Sequence, residues 1–236
     1  MPEASWRADD SLSAKLTLLH GLMSSSFHSA NNDLAAIVTS LELASRLASQ
    51  PDLAAILEET RDATLAMSRR LEQTARAFRP PRPSERRFEP LTELLSSAER
   101  LAHEAYTGPS PEAMSSRVLS PEQPVVVGLY PWLAASAIAA LIRNGWEAGS
   151  PEVLVTGEPE GNSLVVTVID QGEGIPADRL HEVVEPFVST KPHPHWGLGL
   201  TQALSCVARH NGALTLVSRG AGQGTSATLF FEVDRR

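Results

Sequence analysis

The first eighty residues carry two runs of apolar side chains at the spacing of a helical heptad. In the first run the spacings are 4, 3, 4, 4, 3, 4, 3, 4 and 3 residues, with one stutter near Phe27. The second run alternates 4 and 3 from Leu53 to Phe78. These periods predict two long amphipathic helices, and Pro51 marks the turn because proline ends one helix or starts the next. The members of the first run are Leu12, Leu16, Leu19, Met23, Phe27, Ala30, Leu34, Ile37, Leu41 and Ala44.

A hairpin of two helices has too little core to be stable alone. We therefore expect two copies to pair into a dimeric four-helix bundle, the economical way to cover both apolar faces. Four prolines follow between Arg79 and Pro90. They stop the helix and form a semi-stiff linker. The predicted organisation is a helical domain of residues 1–79, a linker of residues 80–90 and a second domain of residues 91–236.

Composition narrows the classes of partner. The net charge of -8 argues against nonspecific nucleic-acid binding, which relies on basic side chains that neutralise phosphates. No apolar run approaches the roughly 18 residues of a membrane-spanning helix, and the acidic N-terminus is unlike a secretion signal. We expect a cytoplasmic protein without nucleic-acid or membrane partners. The single cysteine, Cys206, excludes an internal disulfide, and its flanks predict a buried helix face.

The second domain mixes predicted helices and strands, so the expected fold class is α+β. The helices are expected at 90–105, 131–148 and 197–210. The strands are expected at 116–120, 124–129, 153–156, 164–169, 213–218 and 226–233.

Two glycine turns in this domain indicate a nucleotide site. Asp170 follows an apolar strand and opens an Asp-x-Gly-x-Gly turn with Gly172 and Gly174. A second turn, Gly197-Leu-Gly199, opens a predicted helix. A carboxylate can accept a hydrogen bond from the exocyclic amine of a purine, and glycines let peptide N–H groups approach phosphates at a helix N-terminus. An Asp at a strand end can also cap its own turn, and that structural alternative stays open.

These motifs, in this order and with the segment Pro-Phe-x-x-Thr-Lys between them, resemble the ATP-binding domain of sensor histidine kinases in the GHKL ATPase superfamily. The resemblance implies an α/β sandwich that binds ATP and Mg²⁺. In that family the residue matching Asp170 binds the adenine amine, and the residue matching Asn144, in an asparagine box, helps to hold magnesium. Asn144 could equally serve a structural hydrogen bond. The further expected cofactor-binding residues are Gly172, Gly174, Lys191, Gly197, Gly199 and Thr225, whereas Phe187 is expected in the core.

The segment from Phe27 to Leu34 resembles the phosphoacceptor box of the same kinases. The resemblance implies that His28 accepts the γ-phosphoryl group and passes it to an Asp on a response-regulator receiver domain. It also implies that Asn32 orients a water molecule for the reverse, dephosphorylating reaction. Asn32 lies one helical turn after His28 and on the same face.

The sequence departs from the family pattern at three places. Ser29 stands where an acid usually takes the imidazole proton, and Ala140 stands where many relatives carry Asn or Glu. His195 and Trp196 occupy a phosphate loop in which relatives often have Gly-Thr. Asp33 is about 140° from His28 round the helix and cannot replace the acid. Autophosphorylation is therefore expected to be slow, or the balance of the two activities is expected to favour the phosphatase.

The first hypothesis is a homodimeric histidine kinase core of a two-component system, with a receiver domain as partner and a separate sensory protein as the source of its signal. The alternative is a degenerate core that acts as a phosphotransfer adaptor or scaffold without hydrolysing ATP. The three departures favour the alternative, whereas the intact glycine turns oppose it. A serine-directed kinase of the anti-sigma type ranks last because it would not need a heptad hairpin.

Overall fold

The computed structural model describes residues 2–7, 10–48, 50–106, 108, 111–189, 197–218, 220 and 222–235. The chain divides into two compact units. One is Ala14–Arg79, and the other combines Met1–Ser13 with Pro80–Arg236. The first thirteen residues thus belong to the C-terminal unit and not to the helical domain predicted over 1–79. Among the described residues, no helix is both long and apolar enough to cross a membrane.

The helical unit is a hairpin of α2 (Pro51–Phe78) and of α1 (Asp10–Leu47) without its first turn, which is grouped with the C-terminal unit. Pro51 lies in the first turn of α2, where its missing N–H costs nothing. The Ser68 hydroxyl donates to Asn31 Oδ1 across the two helices, at 3.1 Å. Nearer the turn, Ser45 donates to Glu58 Oε1 at 3.3 Å. These bonds fix the antiparallel register, and the helices and turn lie where the heptad pattern predicts.

The C-terminal unit contains a six-stranded mixed sheet and a three-stranded antiparallel sheet. The strands are β1 (Glu3–Arg7), β2 (Arg87–Pro90), β3 (Ser115–Leu119), β4 (Val126–Leu129), β5 (Glu152–Glu160), β6 (Ser163–Ile169), β7 (Ala213–Ser218), β8 (Thr225–Glu232) and β9 (Asp234–Arg235). The large sheet has the order β1-β7-β8-β6-β5-β3, in which only β3 and β5 pair in parallel, and the small sheet has the order β2-β4-β9.

Three helices complete this unit: α3 (Leu91–Ala105), α4 (Pro131–Glu147) and α5 (Gly199–Ala208). Helix α4 is buried along most of its length because its sequence is apolar on nearly every face. It contacts α3 and α5 as well as the sheet. One core joins α4 to the inner faces of the strands, with Ile138, Leu164 and Leu229 wholly buried. The predicted mixture of helices and strands is confirmed for this unit.

Strand β1 was not predicted. It pairs with β7 along the edge of the large sheet, with Ser5 opposite Thr215. Ala4 is buried in the core, and Trp6 packs edge-on against His181 with ring centroids 6.4 Å apart. In the chain, the helical unit is therefore an insertion between β1 and the rest of the C-terminal unit.

His210 joins the C-terminal end of α5 to the beginning of α4. Its Nδ1–H donates to the Cys206 carbonyl at 2.9 Å, and its Nε2 accepts from the Tyr130 backbone N–H at 3.0 Å. This pattern requires the neutral ring, because a proton on Nε2 would point at another N–H group. Burial, together with the positive charge of Arg86, lowers the pKa of His210 to about 4. Cys206 is buried as predicted.

We expect the unfolding free energy to fall as the pH is lowered from about 6.5 to about 4. Over that range the unfolded chain binds a proton at His210 that the folded chain refuses, so folding loses up to about 3 kcal/mol. Denaturant titrations at several pH values measure the effect. In His210→Gln the curve of stability against pH should be flatter by that amount, whereas parallel curves for the two proteins would contradict the assignment.

Candidate nucleotide-binding site

Asp170 directly follows β6 and is held by backbone groups on two sides. Its Oδ1 accepts hydrogen bonds from the N–H of Gly172, at 2.9 Å, and of Thr225, at 3.1 Å. The Asp170 N–H in turn donates to the Thr225 carbonyl at 2.9 Å. The carboxylate therefore caps its own turn, as the structural alternative supposed, and these bonds also fix its orientation. Thr225, predicted from the last glycine turn, lies beside Asp170.

The glycine turn after Asp170 packs too closely for side chains. A Cβ atom on Gly172 would lie 2.5 Å from the carbonyl oxygen of Ala148, at the end of α4. Gly174 has a φ of +71° and Gly224 a φ of +72°, a conformation that favours glycine. The Gly224 N–H donates to the Gly172 carbonyl at 3.0 Å, which joins this turn to the loop before β8. The glycines thus place Asp170 between α4 and β8.

Helix α4 passes beside Asp170 at Gly145. A Cβ atom at position 145 would lie 2.9 Å from Cβ of Asp170 and 2.8 Å from Cγ2 of Val153. Gly145 was not among the predicted site residues. The sequence did contain a signal for it, because a glycine inside a predicted helix costs about 1 kcal/mol of stability and therefore indicates a structural requirement. The reason is the close approach of α4 to the carboxylate strand.

The amide of Asn144 lies against the first residue of α5. A Cβ atom on Gly199 would lie 2.9 Å from Asn144 Oδ1 and 3.2 Å from its Nδ2. Gly199 begins α5, so the unpaired N–H groups of a helix N-terminus are close to the Asn144 amide. Together with the contact at Gly145, this places Asn144, Asp170 and Gly199 around one location.

A backbone hydrogen bond joins Phe187 to Gly197. The Phe187 N–H donates to the Gly197 carbonyl at 3.2 Å, and both residues have positive φ, of 66° and 61°. The expectation that Phe187 lies in the core is wrong, because its side chain is 66% exposed. A left-handed backbone there points the ring outward. The predicted residue Lys191 lies outside the described residues, as do His195 and Trp196.

His28 and Asn32 are both exposed on α1, one turn apart. The intervening Asn31 is different, because its amide is half-buried and bonded to Ser68 of α2. Ser29 is also exposed. The helix thus presents an imidazole and an amide on one accessible face, while the neighbouring amide holds the hairpin together.

A mixed sheet packed against helices, with Asn144, Asp170 and two glycine turns around one location, defines a GHKL-type ATP-binding domain. Residues 133–235 match the family described as Histidine kinase-, DNA gyrase B-, and HSP90-like ATPase. This part of the chain is a domain of that family.

Relatives named as sensor kinases match the chain in part. Sensor histidine kinase ZraS of Escherichia coli (strain K12) is 33% identical over 110 residues, which cover 47% of this chain and 21% of that protein. Sporulation kinase A of Bacillus subtilis (strain 168) is 34% identical over 95 residues, or 39% of this chain and 15% of that protein. The resemblance to sensor histidine kinases is confirmed, although the match spans about a fifth or less of these relatives.

Solved structures share the fold. Full-length ShkA in complex with AMPPNP aligns over 92% of this chain and 46% of its own, with a TM-score of 0.63 and 18% identity. The mycobacterial sensor histidine kinase MprB aligns over 64% of this chain and 99% of its own, with a TM-score of 0.52 and 23% identity. At such identities these likenesses establish the architecture alone.

Proposed function

We propose that this chain is the core of a dimeric two-component histidine kinase, which binds ATP with Mg²⁺ and transfers the γ-phosphoryl group to His28. The observation that carries the proposal is the convergence of Asp170, Asn144 and the N-terminus of α5 at Gly199. Relatives named as sensor histidine kinases support the reaction class. They do not favour the adaptor alternative.

Each of the three groups suits a different part of the nucleotide. The Asp170 carboxylate, oriented by two backbone N–H groups, can accept a hydrogen bond from the adenine amine. The amide oxygen of Asn144 is the ligand type that Mg²⁺ prefers. The absent side chain of Gly199 lets the Asn144 amide lie against the N-terminus of α5, whose N–H groups can bind phosphates. Magnesium, when bound, neutralises charge that develops on the phosphates during transfer. Lys191 would contribute a further positive charge.

In the proposed reaction a neutral ring nitrogen of His28 attacks the γ-phosphorus of ATP. The new bond joins nitrogen to phosphorus, and the bond between the γ-phosphorus and the β,γ-bridging oxygen breaks to release ADP. The other ring nitrogen then loses the single N–H proton of the ring to solvent, because Ser29 offers no carboxylate for it. The phosphoryl group then passes to an Asp of a receiver domain, and Asn32 supports the reverse reaction by orienting water. A separate sensory protein supplies the signal.

Binding and labelling of the wild-type chain test the proposal. Titration with Mg-ATP and Mg-ADP in a calorimeter should show heat of binding, and incubation with γ-labelled ATP should give acid-labile label on the chain. Adding a receiver domain should then remove that label. No heat with either nucleotide would support the adaptor alternative instead.

We also propose that the hairpin forms the dimer. Five large apolar side chains of the hairpin, none of them in the predicted heptad runs, stay between 59% and 76% exposed. A second copy that covered them would remove this apolar area from water. They are Leu18, Leu22, Leu43 and Leu47 of α1 and Ile56 of α2.

A single chain has a mass of 25.4 kDa. Light scattering at micromolar protein concentration should therefore report twice that mass. Replacing Leu43 and Leu47 with Glu should shift the mass to that of a monomer, since buried carboxylates would oppose pairing. Arg46→Glu is the matched control, because it changes charge between them on a different face of α1. A wild-type monomer, or a dimer that survives both Leu→Glu changes, would contradict this interface.

A further inference from the structure

Helices α4 and α5 run antiparallel, and contacts at both ends define their register. At one end Gly199 lies against the Asn144 amide. At the other end His210 accepts a hydrogen bond from the Tyr130 N–H, just before α4 begins. Moving inward from the nucleotide end, Gln202 comes one turn after Gly199 and Ala140 comes one turn before Asn144. Gln202 on α5 is thus level with Ala140 on α4.

The Gln202 side chain crosses from α5 to α4 at this level. It is buried, with 8% of its surface exposed, and its Nε2 donates to the Ser136 carbonyl at 3.2 Å. Ser136 lies one turn before Ala140 on the same face of α4. Ala140 itself is wholly buried.

We infer that Gln202 is a positioning residue for the nucleotide site, and that it uses the space vacated by Ala140. The helix face that presents Asn144 lacks its own polar side chain at position 140, and an amide from α5 supplies a polar link there instead. Its hydrogen bond fixes the distance between the two helices one turn from the site. On this reading Ala140 and Gln202 form a matched pair. The alanine at position 140 then does not indicate that the site has lost its function.

The spacing of α4 and α5 matters for the site because Gly199 and the Asn144 amide are so close that no side chain fits between them. A Cβ at Gly199 would already lie 2.9 Å from Asn144 Oδ1. A movement of α5 along or away from α4 therefore changes what the Asn144 amide touches. The part of the inference that concerns magnesium rests on the proposed function, whereas the pairing of Ala140 with Gln202 does not.

The first test replaces Gln202 with Met, which keeps the length of the side chain and removes the donor. We expect the affinity for Mg-ATP to fall about tenfold, equivalent to about 1.4 kcal/mol. The affinity for ATP without metal should change much less, because Asn144 acts on the magnesium. Ser205→Ala is the matched control: Ser205 is buried on the same helix, and its hydroxyl has no hydrogen-bond partner among the residues that the structure describes. Its affinity should equal that of the wild type.

Equal losses with and without metal would overturn the positioning role, since general loosening of the helix weakens both. Unchanged affinity in Gln202→Met would also overturn it. If the wild-type chain binds no nucleotide, the proposed function fails, and the inference is judged on the second test alone.

The second test needs no nucleotide. Ala140→Asn should lower the denaturant midpoint of the wild-type chain, because the new side chain meets Gln202. In a Gln202→Ala background the same change should cost less, since the space is free. The double variant should therefore unfold at a higher denaturant concentration than additive effects allow. Strict additivity would show that the two positions do not share this space, and would overturn the pairing.

Discussion

Asp170→Asn is expected to weaken the binding of adenine nucleotides by about 100-fold or more. In the wild type the carboxylate accepts hydrogen bonds only. In the variant one oxygen becomes an NH₂ group, which opposes the exocyclic amine of adenine donor to donor. A partly buried site that leaves such groups unsatisfied rejects its ligand strongly. Calorimetric titration with Mg-ATP and Mg-ADP measures the loss.

The choice of Asn separates recognition from folding. Its remaining amide oxygen can still accept the hydrogen bonds from Gly172 and Thr225 that Asp170 Oδ1 accepts in the wild type. The variant should therefore unfold within about 1 kcal/mol of the wild type. Asp170→Ala leaves both backbone N–H groups without that acceptor and should lose stability as well as binding.

Inosine triphosphate identifies the contact itself, because its base lacks the exocyclic amine. The wild-type chain should bind ATP far more tightly than inosine triphosphate. In Asp170→Asn this preference should disappear, since the group that reads the amine is gone. If the variant still preferred ATP by the wild-type factor, Asp170 would be a structural cap of its turn and nothing more.

The features that the sequence predicted are local ones. The two helices of the hairpin follow from heptad spacing, and their turn follows from Pro51, which acts within its own neighbourhood. The turn after Asp170 was predictable because Gly172 and Gly174 are needed within four residues of it. In each case the residues that cause the structure are neighbours in the chain.

The features that it missed depend on residues far apart in the chain. Strand β1 forms because Ala4 and Trp6 meet a sheet edge made some 200 residues later, and five residues carry too little pattern to announce that. Phe187 was expected in the core because it is aromatic, yet its positive φ and its bond to Gly197 turn it outward. Gln202 looks unremarkable until α5 is placed beside α4. Tertiary packing determines the structure at these positions, and local sequence propensity carries no information about tertiary packing.

His28→Gln is expected to remove all acid-labile phosphate from a chain incubated with γ-labelled ATP. Gln has no ring nitrogen that can form a bond to phosphorus, so no other outcome is compatible with His28 as acceptor. His28 is exposed on α1, and its replacement leaves no buried group unpaired. Nucleotide affinity and the dimer should therefore match the wild type. Label that persists in this variant would place the acceptor elsewhere.

Ser29→Glu tests, in the same labelling experiment, whether the reaction is slow because no acidic residue follows His28. The change restores an acid directly after His28, where it can take the ring proton as the new bond forms. We expect the initial rate of labelling to rise by about tenfold or more, towards the 10²–10⁴-fold range of positioned acid–base groups. Asp33→Asn is the matched control, because the helical geometry places that carboxylate about 140° from His28. An unchanged rate in Ser29→Glu would show that proton removal does not limit the reaction. The approach of ATP to His28 would then be the rate-limiting step, since the exposed face of α1 would already hold every group that the transfer needs.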